Sequence, residues 1–239
     1  MATDIKHPAW LPRAFRPTPS LLRQSRAFTR SVLGADLDKA LRIPGWLHAD
    51  QAALLCYVAG ICPDGPIVEI GSFKGKSTVF LAKGMKATNK LYAIDPHIFT
   101  KIGSRQDRAA AKHSDNGSDS GETSWSTFNS TLETWVITDK VNIIRKFSYD
   151  ARADFDNAIA MLWIDGDHAY DAVRKDIEDW VPLTMPNGFV AFHDTHPKHL
   201  GYPGGSVLSA IKDSGMLDSG DFESFLQLRN AWILRRVPK

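Results

Sequence analysis

The chain has 239 residues, of which 43% are hydrophobic and 23% charged, with 17 Gly, 13 Pro and 2 Cys. That composition excludes collagen-like, mucin-like and wholly disordered chains, and it is long enough to bury a sizeable core. Lys plus Arg (29) nearly balance Asp plus Glu (27), leaving a formal charge of +2, so electrostatics alone gives no argument for a nucleic-acid partner. No apolar run approaches the ~20 residues that cross a bilayer, and the N-terminus lacks the charged-then-apolar order of a secretory signal. The expectation is a cytoplasmic protein without a membrane partner. Cys56 and Cys62 lie in an apolar stretch at a spacing that fits neither a redox pair nor a zinc site, and read as core thiols.

Pro8, Pro12, Pro17 and Pro19 forbid a long helix at the start and predict an extended arm, lying on the surface or on a partner subunit of a homo-oligomer. Lys6, Arg13, Arg16, Arg23, Arg26 and Arg30 make this region basic, as in organelle transit peptides, but its prolines would break a presequence helix early. Leu21, Leu22, Ser25, Phe28, Thr29, Val32 and Leu33 then recur at helical spacing opposite Arg23, Arg26 and Arg30, which predicts an amphipathic helix. A core-packing helix, a lid and a dimer contact all fit that pattern. Residues 1–43 are therefore read as an N-terminal arm and helix preceding a domain over 44–239.

Pro44-Gly45-Trp46-Leu47 predicts a turn, and residues 50–59 a helix that Gly60 ends. Strands and helices then alternate: strands at 67–70, 91–94, 141–144, 160–164 and 189–192, with helices at 77–85, from Trp125 to Trp135, and from about Tyr170 to Val181. Residues 105–123, rich in Ser, Asp, Gly and Ala, read as a mobile insertion. The tail, 222–228 and 231–237 across Arg229-Asn230, reads as an antiparallel pair closing one edge. The order predicts an α/β fold, a Rossmann-like, doubly wound and mostly parallel sheet.

Such sheets bind ligands beyond the carboxyl ends of their strands, and three groups of residues gather there. The first is Glu69-Ile70-Gly71-Ser72-Phe73-Lys74-Gly75-Lys76-Ser77-Thr78, joining the first strand to its helix. Gly71 and Gly75 enclose three residues, where a triphosphate nest wants four. Phe73 stands where a dinucleotide loop wants its middle glycine. A cationic, amino-acid-bearing nucleoside needs no such nest, and the carboxylate of Glu69 suits its ammonium group; S-adenosylmethionine is such a ligand. Asp95, ending the second strand, is placed for ribose hydroxyls. The glycines alone could equally shape an ordinary strand-to-helix turn.

The second and third groups are Asp165-Gly166-Asp167-His168 after the fourth strand and His193-Asp194-Thr195-His196 after the fifth. Carboxylates gathered at buried strand ends imply a cation, a proton or a polar substrate. Asp165 and Asp194 suit a hard divalent ion such as Mg²⁺, while His193 admits Mn²⁺, Fe²⁺ or Zn²⁺ as readily. Asp167 also suits a helix cap, His168 a satisfied turn residue, and His196 and His199 an exposed loop.

The succession of Pro-Gly-Trp-Leu, Val-Glu-Ile-Gly-Ser, Ala-Ile-Asp-Pro-His, Trp-Ile-Asp-Gly-Asp-His-Ala-Tyr and Phe-His-Asp-Thr over residues 44–237 resembles class I S-adenosylmethionine-dependent methyltransferases. Within them it is similar to the small-molecule O-methyltransferase branch that includes cephalosporin-hydroxylase-like enzymes and macrolide or aminocoumarin sugar O-methyltransferases. The resemblance implies a seven-stranded sheet with an antiparallel last strand. It also implies a cofactor lying across Glu69, Gly71, Ser72, Gly75, Ser77 and Asp95, with Ser148 near the adenine. From metal-dependent relatives it implies Asp165 and Asp194 as ligands of Mg²⁺ or Mn²⁺, with His193 standing where the family has the first acid of its pair. Asp167 is then the base and His168 its competitor, acting on a hydroxyl of a sugar or natural-product acceptor. A nicotinamide-dependent oxidoreductase, which Phe73 opposes, and a non-catalytic binding module share the fold.

Overall fold

The computed structural model describes residues 18–98, 124–195 and 206–238. The proline-rich arm before residue 18, the insertion at 105–123, and His196 and His199 lie outside the described residues.

The β-branched and apolar runs form seven strands: β1 (Pro66–Ile70), β2 (Lys90–Ile94), β3 (Val141–Ile144), β4 (Ile159–Ile164), β5 (Thr184–Phe192), β6 (Phe222–Leu228) and β7 (Ala231–Arg236). They make one sheet in the order β3-β2-β1-β4-β5-β7-β6. The first five strands pair in parallel, and β7 lies antiparallel to both β5 and β6. The described helices are α1 (Pro19–Leu33), α2 (Leu37–Leu41), α3 (Ala49–Ile61), α4 (Lys76–Gly84), α5 (Ser124–Thr134), α6 (Ser148–Ala151), α7 (Tyr170–Trp180) and α8 (Ser206–Asp213). The doubly wound sheet expected from the alternation, with its antiparallel last strand, is present.

Central strands are buried on both faces, and the period of two sorts their side chains between layers. Met161 and Trp163 of β4, with Phe189 and Ala191 of β5, join the core layer that contains residues of α3 and α4. Leu162, Ile164, Val190 and Phe192 join the opposite layer, with Val173, Ile177 and Trp180 of α7 and Leu208 and Ile211 of α8. The helix α1 lies on the first layer: Leu33 is buried there, the Thr29 hydroxyl donates to the Ala53 carbonyl at 3.1 Å, and Phe28 meets Tyr57 edge-on. Thr18 caps this helix, accepting from the Leu21 amide, and Pro19 takes its first turn, where a missing N–H costs nothing.

Two glycines near helix ends are placed by close packing. Gly60 does not stop α3, which runs to Ile61; a Cβ at Gly60 would stand 2.5 Å from the Phe28 ring. Likewise α4 closes on Gly84, where a Cβ would fall 2.1 Å from the carbonyl oxygen of Cys56. Both glycines serve close approach of helices rather than turning the chain. Cys56 and Cys62 are free and buried, as expected for core thiols, and burial pushes both thiols up to about 11. No helix among the described residues is long and apolar enough to cross a membrane.

Candidate active site

The strand order reverses between β1 and β4, so the crevice of an open α/β sheet falls at their carboxyl ends. The residues just past the strands keep the ladder going by one more hydrogen bond. Gly71 N–H donates to Ile94, Asp95 N–H to Ile144, Asp165 N–H to Ile70 and His193 N–H to Ile164, at 2.9 to 3.2 Å. Sheet register therefore sets these four site residues side by side.

After β1 the chain turns through Gly71 (φ 90°), Phe73 (φ 45°) and Gly75 (φ 87°) before entering α4. Phe73 is held in a left-handed conformation that costs a non-glycine residue about 1 kcal/mol or more. Its amide is fixed on Asp95 Oδ2 at 2.8 Å, while the His97 amide binds Oδ1 of the same carboxylate at 2.6 Å. Asp95 thus clasps two loops. A carboxylate offers about four acceptor positions, so capacity for ribose hydroxyls remains. Ser72 is buried and its hydroxyl has no partner among the described residues, an orphaned polar atom within the loop expected to hold a cofactor. The Phe73 ring stacks on Trp46, centroids 5.5 Å apart, and Trp46 is 65% exposed.

Glu69 lies beneath this loop, completely buried, accepting from the hydroxyls of Ser77 and Thr78 in the first turn of α4. Burial pushes its carboxyl up to about 8 against those two hydrogen bonds. Glu69 and Ser77 tie β1 to α4. Because the folded-state value lies above the unfolded one of about 4.5, Glu69 stabilises the fold at low pH, and this contribution is lost as pH rises towards 8. Glu69→Gln is expected to flatten that fall. Urea unfolding at mildly acidic and mildly alkaline pH measures it, and an unchanged slope would exclude Glu69 as its source. Ser148 opens α6 and gives its hydroxyl to Asp176 of α7, whose carboxyl burial pushes up to about 7.

Asp165, His168, His193 and Asp194 meet at the ends of β4 and β5. His193 Nδ1 lies 3.1 Å from Asp165 Oδ1 and 3.4 Å from Asp194 Oδ2; His168 Nε2 lies 3.1 Å from Asp194 Oδ2 and 3.5 Å from Asp165 Oδ1. Burial opposes charge on both imidazoles, but the two carboxylates outweigh it, raising His168 and holding His193 up to about 10. In return, the histidines hold Asp165 below the usual carboxylate range despite its burial. Among the described residues, Asp165, His168 and Asp194 offer ligand atoms within 4.8 Å of one another. His193, expected as a ligand, is not in that group; it is buried against Trp163 with Nδ1 on Asp165. Asp167 is exposed and accepts from the Ala169 amide at 2.9 Å, closing the turn before α7; it does not cap that helix, whose N-cap is Ala169 with no side-chain hydrogen bond.

Four residues here escaped sequence reading: Trp46, His97, Gln51 and Asn230. His97, which follows Asp95, and Trp46, in the Pro-Gly-Trp-Leu motif, carried local signals; His97 is buried against Trp125 and Phe128.

A family model described as a methyltransferase domain matches residues 68–195, more than half of the chain. A 61-residue segment is 36% identical to the uncharacterized protein y4gI of Sinorhizobium fredii; it covers 25% of this chain and only 7% of that protein's length. Among solved structures, the O-methyltransferase TomG from Streptomyces achromogenes, involved in tomaymycin synthesis and solved in complex with SAM, is 16% identical. It aligns at a TM-score of 0.59 over 91% of this chain and 89% of its own. The O-methyltransferase from Bacillus cereus in complex with SAH is 14% identical, with a TM-score of 0.59 over 91% of this chain and all of its own. At such identities the likeness is one of fold.

Proposed function

Since the chain belongs to the methyltransferase domain family, we propose that it transfers the methyl group of S-adenosylmethionine to a hydroxyl of a small molecule, of sugar or natural-product type. The observation that carries this reading is the Asp165, His168, Asp194 cluster beside the Gly71–Gly75 loop at the switch point of the sheet. The orphaned Ser72 hydroxyl and the remaining acceptor capacity of Asp95 fit the polar ends of the cofactor. Solved neighbours that carry SAM or SAH support the same ligand.

Methyl transfer from a sulfonium disperses charge, so catalysis rests on alignment and on removal of the hydroxyl proton. We assign that proton to His168: its Nε2 faces Asp194 and Asp165 and carries the hydrogen towards them, so the other ring nitrogen, Nδ1, is the one that accepts. Asp165 and Asp194 raise its basicity and stabilise the imidazolium it becomes, while protonated His193 keeps both carboxylates ionised and in place. Asp167, at the entrance to α7, shapes the turn that presents His168.

The donor set also fits a divalent ion: two carboxylate oxygens and one imidazole nitrogen suit Mn²⁺, Fe²⁺ or Zn²⁺ as well as Mg²⁺. Held by Asp165, His168 and Asp194, such an ion would lower the pKa of the acceptor hydroxyl.

Titration of S-adenosylhomocysteine by calorimetry, with and without Mg²⁺ or Mn²⁺, tests the reading without an acceptor. Micromolar binding is expected; absence of binding in every condition refutes it. Asp95→Ala removes the acceptor for two loop amides as well as for the ribose, and is expected to weaken binding at least about tenfold, since hydrogen bonds to a charged group contribute about 1.5–3 kcal/mol. Unchanged affinity in that variant would remove Asp95 from the cofactor site.

A further inference from the structure

Asp194 is one end of a directed chain of amides that begins at the start of α3. The His48 backbone N–H donates to Gln51 Oε1 at 3.1 Å, Gln51 Nε2 donates to Asn230 Oδ1 at 2.7 Å, and Asn230 Nδ2 donates to Asp194 Oδ1 at 2.6 Å. A carboxamide has one donor end and one acceptor end, and a backbone N–H can only donate. The orientation of both amides is therefore set from the His48 end, and Asp194 Oδ1 must accept. Its other oxygen, Oδ2, is the one 3.1 Å from His168 Nε2.

The turn that carries Asn230 is held from two sides. Arg229, in a left-handed conformation (φ 54°), donates through Nε to both oxygens of Asp50, and the Asn230 carbonyl accepts from the Thr195 amide at 2.9 Å. Gln51 is buried, so its amide has little choice of partners.

We infer that Asn230, with its amide oriented by Gln51, is a positioning residue that commits Asp194 Oδ1 and thereby turns Oδ2 to His168. This rests on the reading of His168 as the proton acceptor in a methyltransferase. The β6–β7 hairpin and the start of α3 then form part of the apparatus that aims the cluster, although neither follows one of the cluster's strands.

The test reads the imidazole ¹⁵N resonances of His168 and the side-chain NH₂ of Asn230 in the full chain, at one fixed neutral pH. Gln51→Glu keeps the acceptor for His48 and the side-chain volume but cannot donate, so Asn230 is expected to turn its NH₂ towards position 51 and its oxygen towards Asp194. Asn230→Leu removes the donor outright. Both variants are expected to move the His168 resonances in the same direction, whereas Arg229→Ala, which frees the turn from Asp50 and keeps the amide chain, leaves them in place. His168 resonances unmoved in folded Asn230→Leu overturn the inference, and so does an equal displacement in Arg229→Ala, which would mark general loosening of the turn. Should Gln51→Glu fail to fold, Asn230→Leu against Arg229→Ala decides. Calorimetry with S-adenosylhomocysteine on the same samples separates the two claims: Asn230→Leu is expected to bind as the wild type does. A wild type that does not bind refutes the methyltransferase reading, while the His168 spectra still decide the role of Asn230.

Discussion

Gly71→Ala is expected to destabilise the fold by about 3 kcal/mol or more and to abolish S-adenosylhomocysteine binding, because two penalties coincide there. The residue sits at φ 90°, and a Cβ would lie 2.2 Å from the carbonyl oxygen of Asp165 and 2.8 Å from the Gly166 nitrogen. Both obstacles are backbone, locked by the Asp165 N–H to Ile70 and Gly71 N–H to Ile94 hydrogen bonds, so no side chain can swing aside. Gly215 supplies the control: it has φ 73° with nothing within 4 Å of a Cβ, so Gly215→Ala meets only the conformational penalty, of about 1 kcal/mol. Gly84→Ala supplies another, since its clash with the Cys56 carbonyl lies between α3 and α4, away from the crevice. It is expected to cost stability despite the better helix propensity of alanine, and to spare binding while the protein is folded. Denaturant unfolding and calorimetry on the three variants measure both effects. Equal costs for Gly71→Ala and Gly215→Ala would show that the strand ends are not locked together.

His168→Gln is expected to lower turnover by about 10²- to 10⁴-fold, the contribution of a positioned general base, and to leave S-adenosylhomocysteine affinity close to that of the wild type. Asp165→Ala and Asp194→Ala act in the same direction. Each removes a carboxylate that holds His168 and also leaves the buried, protonated His193 short of a counter-charge, so a loss of stability accompanies them. The readout is transfer of a labelled methyl group to an acceptor found by screening hydroxyl compounds, set beside cofactor affinity on the same samples. Turnover and affinity falling together would assign the cluster to structure rather than to chemistry. Asp167→Ala separates the two adjacent candidates for the base: loss of the exposed turn residue is expected to cost much less turnover than His168→Gln. The reverse order would return the role of base to Asp167.

Much of this molecule was legible in one dimension. Runs such as Ala160–Ile164 and Phe189–Phe192 are apolar on consecutive positions because both faces of a central strand are covered, and that pattern marks them as central strands of a parallel sheet. A parallel sheet delivers every strand end to one edge, so the gathering of Gly71, Asp95, Asp165 and Asp194 followed from their positions after strands, without any tertiary information. The antiparallel tail was likewise announced by two apolar segments across Arg229-Asn230.

What the sequence could not determine is the direction in which each side chain leaves its turn. Asp167 and His168 are adjacent, and only the dihedral angles of the loop send one outward to the Ala169 amide and the other inward to Asp194. Glu69 was placed correctly at the end of β1, yet nothing in its own segment shows that its side chain meets the hydroxyls of Ser77 and Thr78. Gly60 looks like a helix stop until the ring of Phe28 is seen to occupy the space of its missing Cβ. The link from Gln51 to Asn230 spans 179 positions and joins residues that are unremarked in their own segments. Local spacing governs backbone conformation because its cause is local sterics; partner choice among buried polar groups depends on which distant groups share the same dry space, and only packing brings those together.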